Sequence, residues 1–283
     1  MGKRIRLWVQ IAFTALTNGY IFGFLTGKIY TGPTKTICVP GLNCYSCPGA
    51  LGSCPIGALQ AVLTGGSRFS FYAVGFLLLF GSLFGRFICG WLCPFGLAQD
   101  LLYKIPFPRK RKNLPGHQWL VRVKYLVLVI LVILLPMVVT GEFGQRSPWF
   151  CQYLCPSGTL MAGLPLVASS PALQDAAGFL FGWKVAVLLL LLLLAIGVYR
   201  PFCKYLCPLG AVYSFFNSVA CYQYRVEDTC IQCGKCQEAC KMDIRTWKQP
   251  NSPECIRCGD CIRACPVQAI QKEPLFRGRK KEE

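Results

Sequence analysis

Nineteen cysteines and a single histidine, His117, occur in a chain of 283 residues. Their spacing points to iron–sulfur chemistry. Near the C-terminus, CIQCGKCQEAC supplies Cys230, Cys233, Cys236 and Cys240, and CIRCGDCIRACP supplies Cys255, Cys258, Cys261 and Cys265. A C-x2-C-x2-C-x3-C run lets one loop hold three corners of a cubane, while its fourth cysteine reaches the neighbouring cluster. One [4Fe-4S] cluster is therefore expected on Cys230, Cys233, Cys236 and Cys265. The other is expected on Cys240, Cys255, Cys258 and Cys261. Lys241 follows Cys240 where proline is usual. Zinc on the same thiolates is the alternative, and two complete runs in tandem weigh against it.

A second pattern, C-x3-C-P-x-G, occurs in FICGWLCPFG (87–96), FCQYLCPSG (150–158) and FCKYLCPLG (202–210). Proline after the second cysteine suits the first turn of a helix, where its missing N–H is not needed. The cysteine then sits at a helix N-terminus, where free N–H groups favour an anionic thiolate. Each pair offers two ligands and a cluster takes four. Cys89, Cys93, Cys203 and Cys207 are expected to close one inner membrane cluster. On the other side lie Cys38, Cys44, Cys47, Cys54, Cys151 and Cys155, six thiols where a cluster needs four. Cys47, Cys54, Cys151 and Cys155 are the expected set, with Cys47 favoured because it too precedes a proline. Cys38 and Cys44 then remain as alternative ligands, a disulfide or a redox-active dithiol. A separate cluster on Cys38, Cys44, Cys47 and Cys54 competes with this assignment. Four thiolates accept [2Fe-2S] and [4Fe-4S] alike, so one or two further clusters of open nuclearity join the two [4Fe-4S] of the tandem runs.

The elements that position these cysteines are apolar. Hydrophobic residues make up 54% of the chain, and four segments approach the ~20 residues that span a bilayer: about 7–27, 69–84, 119–140 and 179–198. A cleaved signal peptide is the alternative for the first. The net charge of +18 clusters at segment ends, which fits membrane topology better than nucleic acid. Lys3, Arg4 and Arg6 precede the first segment. Arg86, Lys104, Arg109, Lys110, Arg111, Lys112, Arg122 and Lys124 lie between or beside the second and third. The other connections carry Lys28, Lys35 and Arg68, and Arg146 alone. Both termini are thus expected in the cytoplasm of a multi-pass cell-membrane protein, with Lys184 snorkelling to the outer interface.

The expected fold class is a membrane all-α protein with four transmembrane helices in two pseudo-symmetric halves, plus a small cytoplasmic α+β two-cluster ferredoxin domain. The halves cover 1–118 and 119–222, the ferredoxin domain 223–270, and a charged tail 271–283. His117 reads as interfacial, Cys221 as an ordinary packed thiol, and Trp91 as a shield for a cluster or a ring near a quinone.

Taken together, the membrane-edge C-x3-C-P pairs and the tandem cluster runs resemble the NapH/NosR/CcoG-type membrane-bound polyferredoxins over about Phe69 to Pro266. The resemblance implies a redox role, with quinol as one electron source and cofactor maturation of another enzyme as one destination. The chain departs from the family in its extra outer pair, Cys151/Cys155, and its cysteine-rich loop 38–54. No outer loop is long enough for the flavin-bearing domain of the NosR branch. The leading expectation is an electron-transfer subunit between a cytoplasmic donor and an extracytoplasmic acceptor. It would work within a multi-subunit complex, in contact with lipid, with quinone as a further candidate partner and no nucleic acid. No nucleophile or acid–base pair suggests bond chemistry of its own.

Overall fold

The computed structural model describes residues 3–65, 70–108, 110–141 and 144–274. Arg68, Phe69, Arg109 and the tail after 274 lie outside the described residues. Proline and glycine cut the apolar chain into mostly short helices. α1 (Lys3–Thr17) stops because side chains take its last carbonyls: Thr17 Oγ1 donates to Phe13 O (2.9 Å) and Asn18 Nδ2 to Thr14 O (3.2 Å). The chain resumes as α2 (Ile21–Thr26). The expected segment 7–27 is therefore two helices. α3 (Pro55–Thr64) and α4 (Tyr72–Phe84) follow. The 13 residues of α4 reach about 20 Å at 1.5 Å each, short of a ~30 Å hydrocarbon core. Next come α5 (Phe87–Trp91) and α6 (Pro94–Leu102).

The second half repeats this order around longer helices. α7 (His117–Val138, 22 residues) and α8 (Phe179–Gly197, 19 residues) are, among the described residues, the two helices long and apolar enough to cross a bilayer. α7 is π-helical over Val127–Leu134. The widened turn is engaged by Gln60, whose Nε2 donates to Leu131 O at 3.0 Å. α8 leaves Leu189, Leu190 and Leu193 53%, 59% and 67% exposed. An apolar face of that size gains nothing from water and marks a lipid or protein contact. α9 (Pro201–Tyr205) and α10 (Pro208–Phe215) then mirror α5 and α6.

The C-terminal part is α+β. Strands β1 (Tyr222–Val226) and β2 (Ile270–Pro274) pair antiparallel, Tyr222 opposite Pro274 and Val226 opposite Ile270. Between them lie α11 (Lys235–Ala239) and α12 (Asp260–Ala264). This unit is fastened to the helices by buried charge. Glu254 accepts from Arg86 Nη1 (2.6 Å) and from Lys124, both cations fully buried. A second buried group ties the helical part to itself: Asp100 of α6 accepts from Arg200 at 2.8 and 2.6 Å and from Arg6 of α1 at 2.9 Å. Burial alone would raise the Asp100 carboxyl, but the Arg200 and Arg6 guanidiniums hold it below the usual carboxylate range.

Removing one partner of a buried pair strands the other. Glu254→Gln is expected to destabilise by about 3–5 kcal/mol and to expose the C-terminal unit to protease. Glu273→Gln, at the exposed 3.5 Å pair with Arg225, should change stability by less than about 1 kcal/mol. Thermal unfolding in detergent and limited proteolysis of the full chain check both.

Candidate iron–sulfur sites

The inner cysteines come from two matching turns. Cys89 lies on α5 and Cys203 on α9, while Cys93 and Cys207 cap α6 and α10. All four are buried and lie within electrostatic range of one another. The C-P-x-G signature explains itself locally. Cysteine is the N-cap, proline takes the first helical position, and the glycine N–H two residues later points back at sulfur. Gly210 N donates to Cys207 Sγ at 3.3 Å, and Gly96 N does the same for Cys93. Glycine is needed for space as well. A Cβ on Gly96 would lie 3.1 Å from Cys89 O and 3.4 Å from the Arg200 guanidinium carbon; one on Gly210 would lie 3.3 Å from Cys203 O and 3.5 Å from Arg86 Nη2.

Those contacts expose a pair of residues that the cysteine spacing does not reveal. Arg86, from the first half, donates through Nη2 to Cys203 O at 3.0 Å. Arg200, from the second half, donates to Cys89 O. Each arginine lies three residues before the first cysteine of its own pair and reaches the other pair. The repeat R-x2-C-x3-C-P-x-G, present at 86–96 and 200–210, is the signal that would have found them. Burial pushes the Cys203 thiol up to about 11, with Cys93 adding to the effect and Arg200 opposing it. Four buried thiols within reach of one another, two from each half, are the donor set that an iron–sulfur cluster takes, so the site fits one.

The tandem runs fold into two sets. Cys240, Cys255, Cys258 and Cys261 lie within electrostatic range of one another. Cys230, Cys233, Cys236 and Cys265 surround a small hollow with Trp247, Val267 and Ile270. Each C-x2-C-x2-C loop turns through left-handed residues at equivalent places, Gln232 and Gly234 in one, Arg257 and Gly259 in the other. The two sets differ in position. The Cys255 set faces the helices: Asn217 Nδ2 donates to Cys255 O (2.9 Å) and Trp91 Nε1 to Arg257 O (3.1 Å). Gly90 is obligatory there, because a Cβ would come within 2.3 Å of Ile256 O. The Cys230 set is distal, with Cys233 exposed. Lys241 holds its ammonium over the Tyr103 and Tyr199 rings, 5.6 and 5.1 Å from their centroids.

The outer side brings four cysteines to one cavity. Cys44, Cys54, Cys151 and Cys155 line one cavity of about 570 Å³. Cys54 and Cys155 cap helical turns before Pro55 and Pro156, and Gly158 N donates to Cys155 Sγ at 3.4 Å. Cys44, expected to remain outside the set, faces the same space: a Cβ on Gly158 would lie 3.5 Å from Cys44 Sγ and 3.8 Å from Cys155 Sγ. Cys47 is not among the residues lining the cavity and its sulfur approaches Asn18 Oδ1 at 3.8 Å. The cause is the path of the loop. Lys35 Nζ donates to Cys47 O (3.2 Å) and Ala50 O (2.9 Å), while Leu51 N donates to Thr17 O at the end of α1 (2.9 Å), so the segment is held on both sides. Cys38 contacts Ser53 Oγ at 3.7 Å, and all 19 cysteines are free, Cys38 and Cys44 included. Gln60 orients the turn at Cys151, its Oε1 accepting from Cys151 N at 3.3 Å. Lys184 lines the cavity and lies within electrostatic range of Cys44, Cys151 and Cys155.

Among the described residues no three histidine, cysteine or carboxylate side chains converge as a single-ion cage. A cubane instead takes one thiolate at each of four separate corners. His117 Nδ1 lies 3.1 Å from Tyr205 OH, and Cys221 stays half-buried, its N–H donating to Ser82 O.

Comparison with known proteins agrees with this chemistry. A 4Fe-4S binding domain family matches residues 69–115, 125–166 and 179–220, and a second 4Fe-4S binding domain family matches 250–271. The chain is 30% identical over 166 residues to an uncharacterized protein of Methanocaldococcus jannaschii, covering 58% of this chain and 61% of that protein. It is 31% identical to the methylamine utilization ferredoxin-type protein MauN of Paracoccus denitrificans, covering 58% of this chain and 50% of MauN. It is 31% identical to the regulatory protein NosR of Pseudomonas aeruginosa, covering 46% of this chain and 16% of NosR. The matches thus span less than two thirds of each of these relatives. No solved structure matches.

The outer cavity separates two neighbouring cysteines by role. Cys44→Ser is expected to remove the iron of one cluster from the purified protein, whereas Cys47→Ser should leave the iron and sulfide content unchanged. Metal and sulfide analysis with EPR of both variants reads the outcome, and the reverse pattern would restore Cys47 as the ligand.

Proposed function

Because the chain is a 4Fe-4S polyferredoxin-like relative of NosR and MauN, we propose that it is an integral-membrane electron conduit. It carries electrons between a cytoplasmic donor and an extracytoplasmic acceptor. The observation that carries this reading is continuity. Cys54 and Cys155 of the outer set, all four inner cysteines, and Cys240 of the ferredoxin unit belong to one buried core. Each bound cluster takes up and releases one electron. The ligands would be Cys230, Cys233, Cys236 and Cys265 at the distal end, then Cys240, Cys255, Cys258 and Cys261 at the junction. Cys89, Cys93, Cys203 and Cys207 form the inner membrane set, and Cys44, Cys54, Cys151 and Cys155 the outer.

The chain's own residues do four things in this scheme. The cap glycines aim N–H groups at sulfur, which steadies the thiolates. Arg86 and Arg200, both fully buried, place positive charge beside the inner set. Glu254 locks the junction unit onto the helices. The outward apolar faces of α7 and α8 supply the contact with lipid, and the lysine- and arginine-rich connections place both termini in the cytoplasm. Redox proteins are the partners on each side.

A second reading, electron entry from a quinol, draws on the outer cavity. Its roughly 570 Å³ falls in the range of ligand pockets.

The two readings separate in quinone-free proteoliposomes that hold ferricyanide inside and present the ferredoxin face outside. Dithionite added outside is expected to reduce the enclosed ferricyanide in the wild type. The Cys151→Ser/Cys155→Ser double variant should lose that transfer while keeping the ferredoxin EPR signals. No transfer in the wild type with all clusters present would reject the conduit and leave quinol entry standing.

A further inference from the structure

The inner and outer cysteine sets are joined by a packed bridge. The loop that follows Cys38 does not stay at the outer face. It dips between the two halves, so that a Cβ on Gly41 would lie 3.2 Å from Cys93 Cα and 3.0 Å from Pro94 Cδ. Leu42 contributes a backbone hydrogen bond to the Cys93 sulfur. Its carbonyl accepts from Ser157 Oγ at 3.1 Å, two residues beyond Cys155. One residue of this strap thus touches an inner ligand on one side and the turn of an outer ligand on the other. Beside it stands Tyr213 of α10, fully buried. Its hydroxyl donates to Pro40 O at 3.0 Å, the partner that a buried phenol requires. The ring shares the core with Cys54, Cys89, Cys93 and Leu42.

We infer that Tyr213, with the Pro40–Leu42 strap, is the medium through which an electron crosses between the inner and outer cysteine sets. This rests on the conduit reading above. With clusters bound at both sets, the electron given up by one would be taken up by the other. Tyr213 remains a neutral, closed-shell phenol, and no proton moves. Its part is to fill the gap with a rigid π-system in van der Waals contact, since a void there would remove partner atoms outright. Tyr213 is a positioning residue by this account, and its hydroxyl serves to hold the strap.

The test uses full-length, cluster-loaded protein and three substitutions: Tyr213→Phe, Tyr213→Leu and the flexible, volume-filling Tyr213→Met. Iron content, redox titration of each EPR signal, and the proteoliposome transfer rate are read for each. Tyr213→Phe should transfer at close to the wild-type rate. Tyr213→Leu and Tyr213→Met should transfer several-fold more slowly with iron content and potentials unchanged. An unchanged rate in cluster-complete Leu or Met variants overturns the inference. Pulsed EPR of the reduced wild type supplies a readout that needs no variant to fold: the inner and outer signals should show mutual dipolar coupling. Absence of that coupling also overturns the bridge. Coupling without any transfer to ferricyanide would instead reject the conduit and leave the bridge in place.

Discussion

Two arginines hold the arrangement together. Arg86 reaches from the first half to the carbonyl of Cys203, and Arg200 reaches from the second half to the carbonyl of Cys89. Both are fully buried, and a buried guanidinium is tolerated only where charge and hydrogen bonds compensate it. The compensation comes from elsewhere in the chain, Glu254 for Arg86 and Asp100 for Arg200. Each arginine therefore binds three parts of the molecule at once: its own helix end, the cysteine turn of the opposite half, and an acidic anchor. At Gly96 and Gly210 a Cβ would press first on the carbonyl of Cys89 or Cys203, the same carbonyls that the guanidiniums engage.

The same constraint sets the order of the sites. Glu254 precedes Cys255 directly, so the carboxylate that neutralises Arg86 also seats the junction set against the helices. The distal set is left at the surface, with Ile231 63% exposed beside Cys233. The outer set is built on different terms. A lysine in its wall and a glutamine borrowed from α3 replace the paired arginines. Field and hydrogen bonding around iron–sulfur centres set their potentials, so the inner and outer sets cannot be electrically equivalent.

What could be read in the sequence was what is local. The tandem runs and the C-x3-C-P turns declare themselves because ligand spacing and helix capping act within ten residues. Pairing Cys89/Cys93 with Cys203/Cys207 needed only the sidedness of the apolar segments. The competition between Cys44 and Cys47 was not legible, because both sit in one loop and a lysine twelve residues before Cys47 steers its path. The helices were blurred for a similar reason. The run over 7–27 carries visible interruptions at Thr14, Thr17 and Asn18, but that Thr17 and Asn18 cap a helix from within shows only in the fold. Tyr213 carried no signal at all: it is one aromatic in an apolar stretch, and only the return of the 38–42 strap gives it neighbours.

The crossing of the arginines bears on ancestry. Exchange of the two halves maps each arginine onto the other and each cysteine pair onto its counterpart, which is the self-complementary geometry of an isologous contact. Two separate copies of one half, related by a two-fold axis, could close the same ring of four thiolates, each copy lending its arginine to the other. The present chain then reads as such a homodimer made covalent. The loop that dips between the halves and the ferredoxin unit that Glu254 anchors are the parts of the chain that break this exchange.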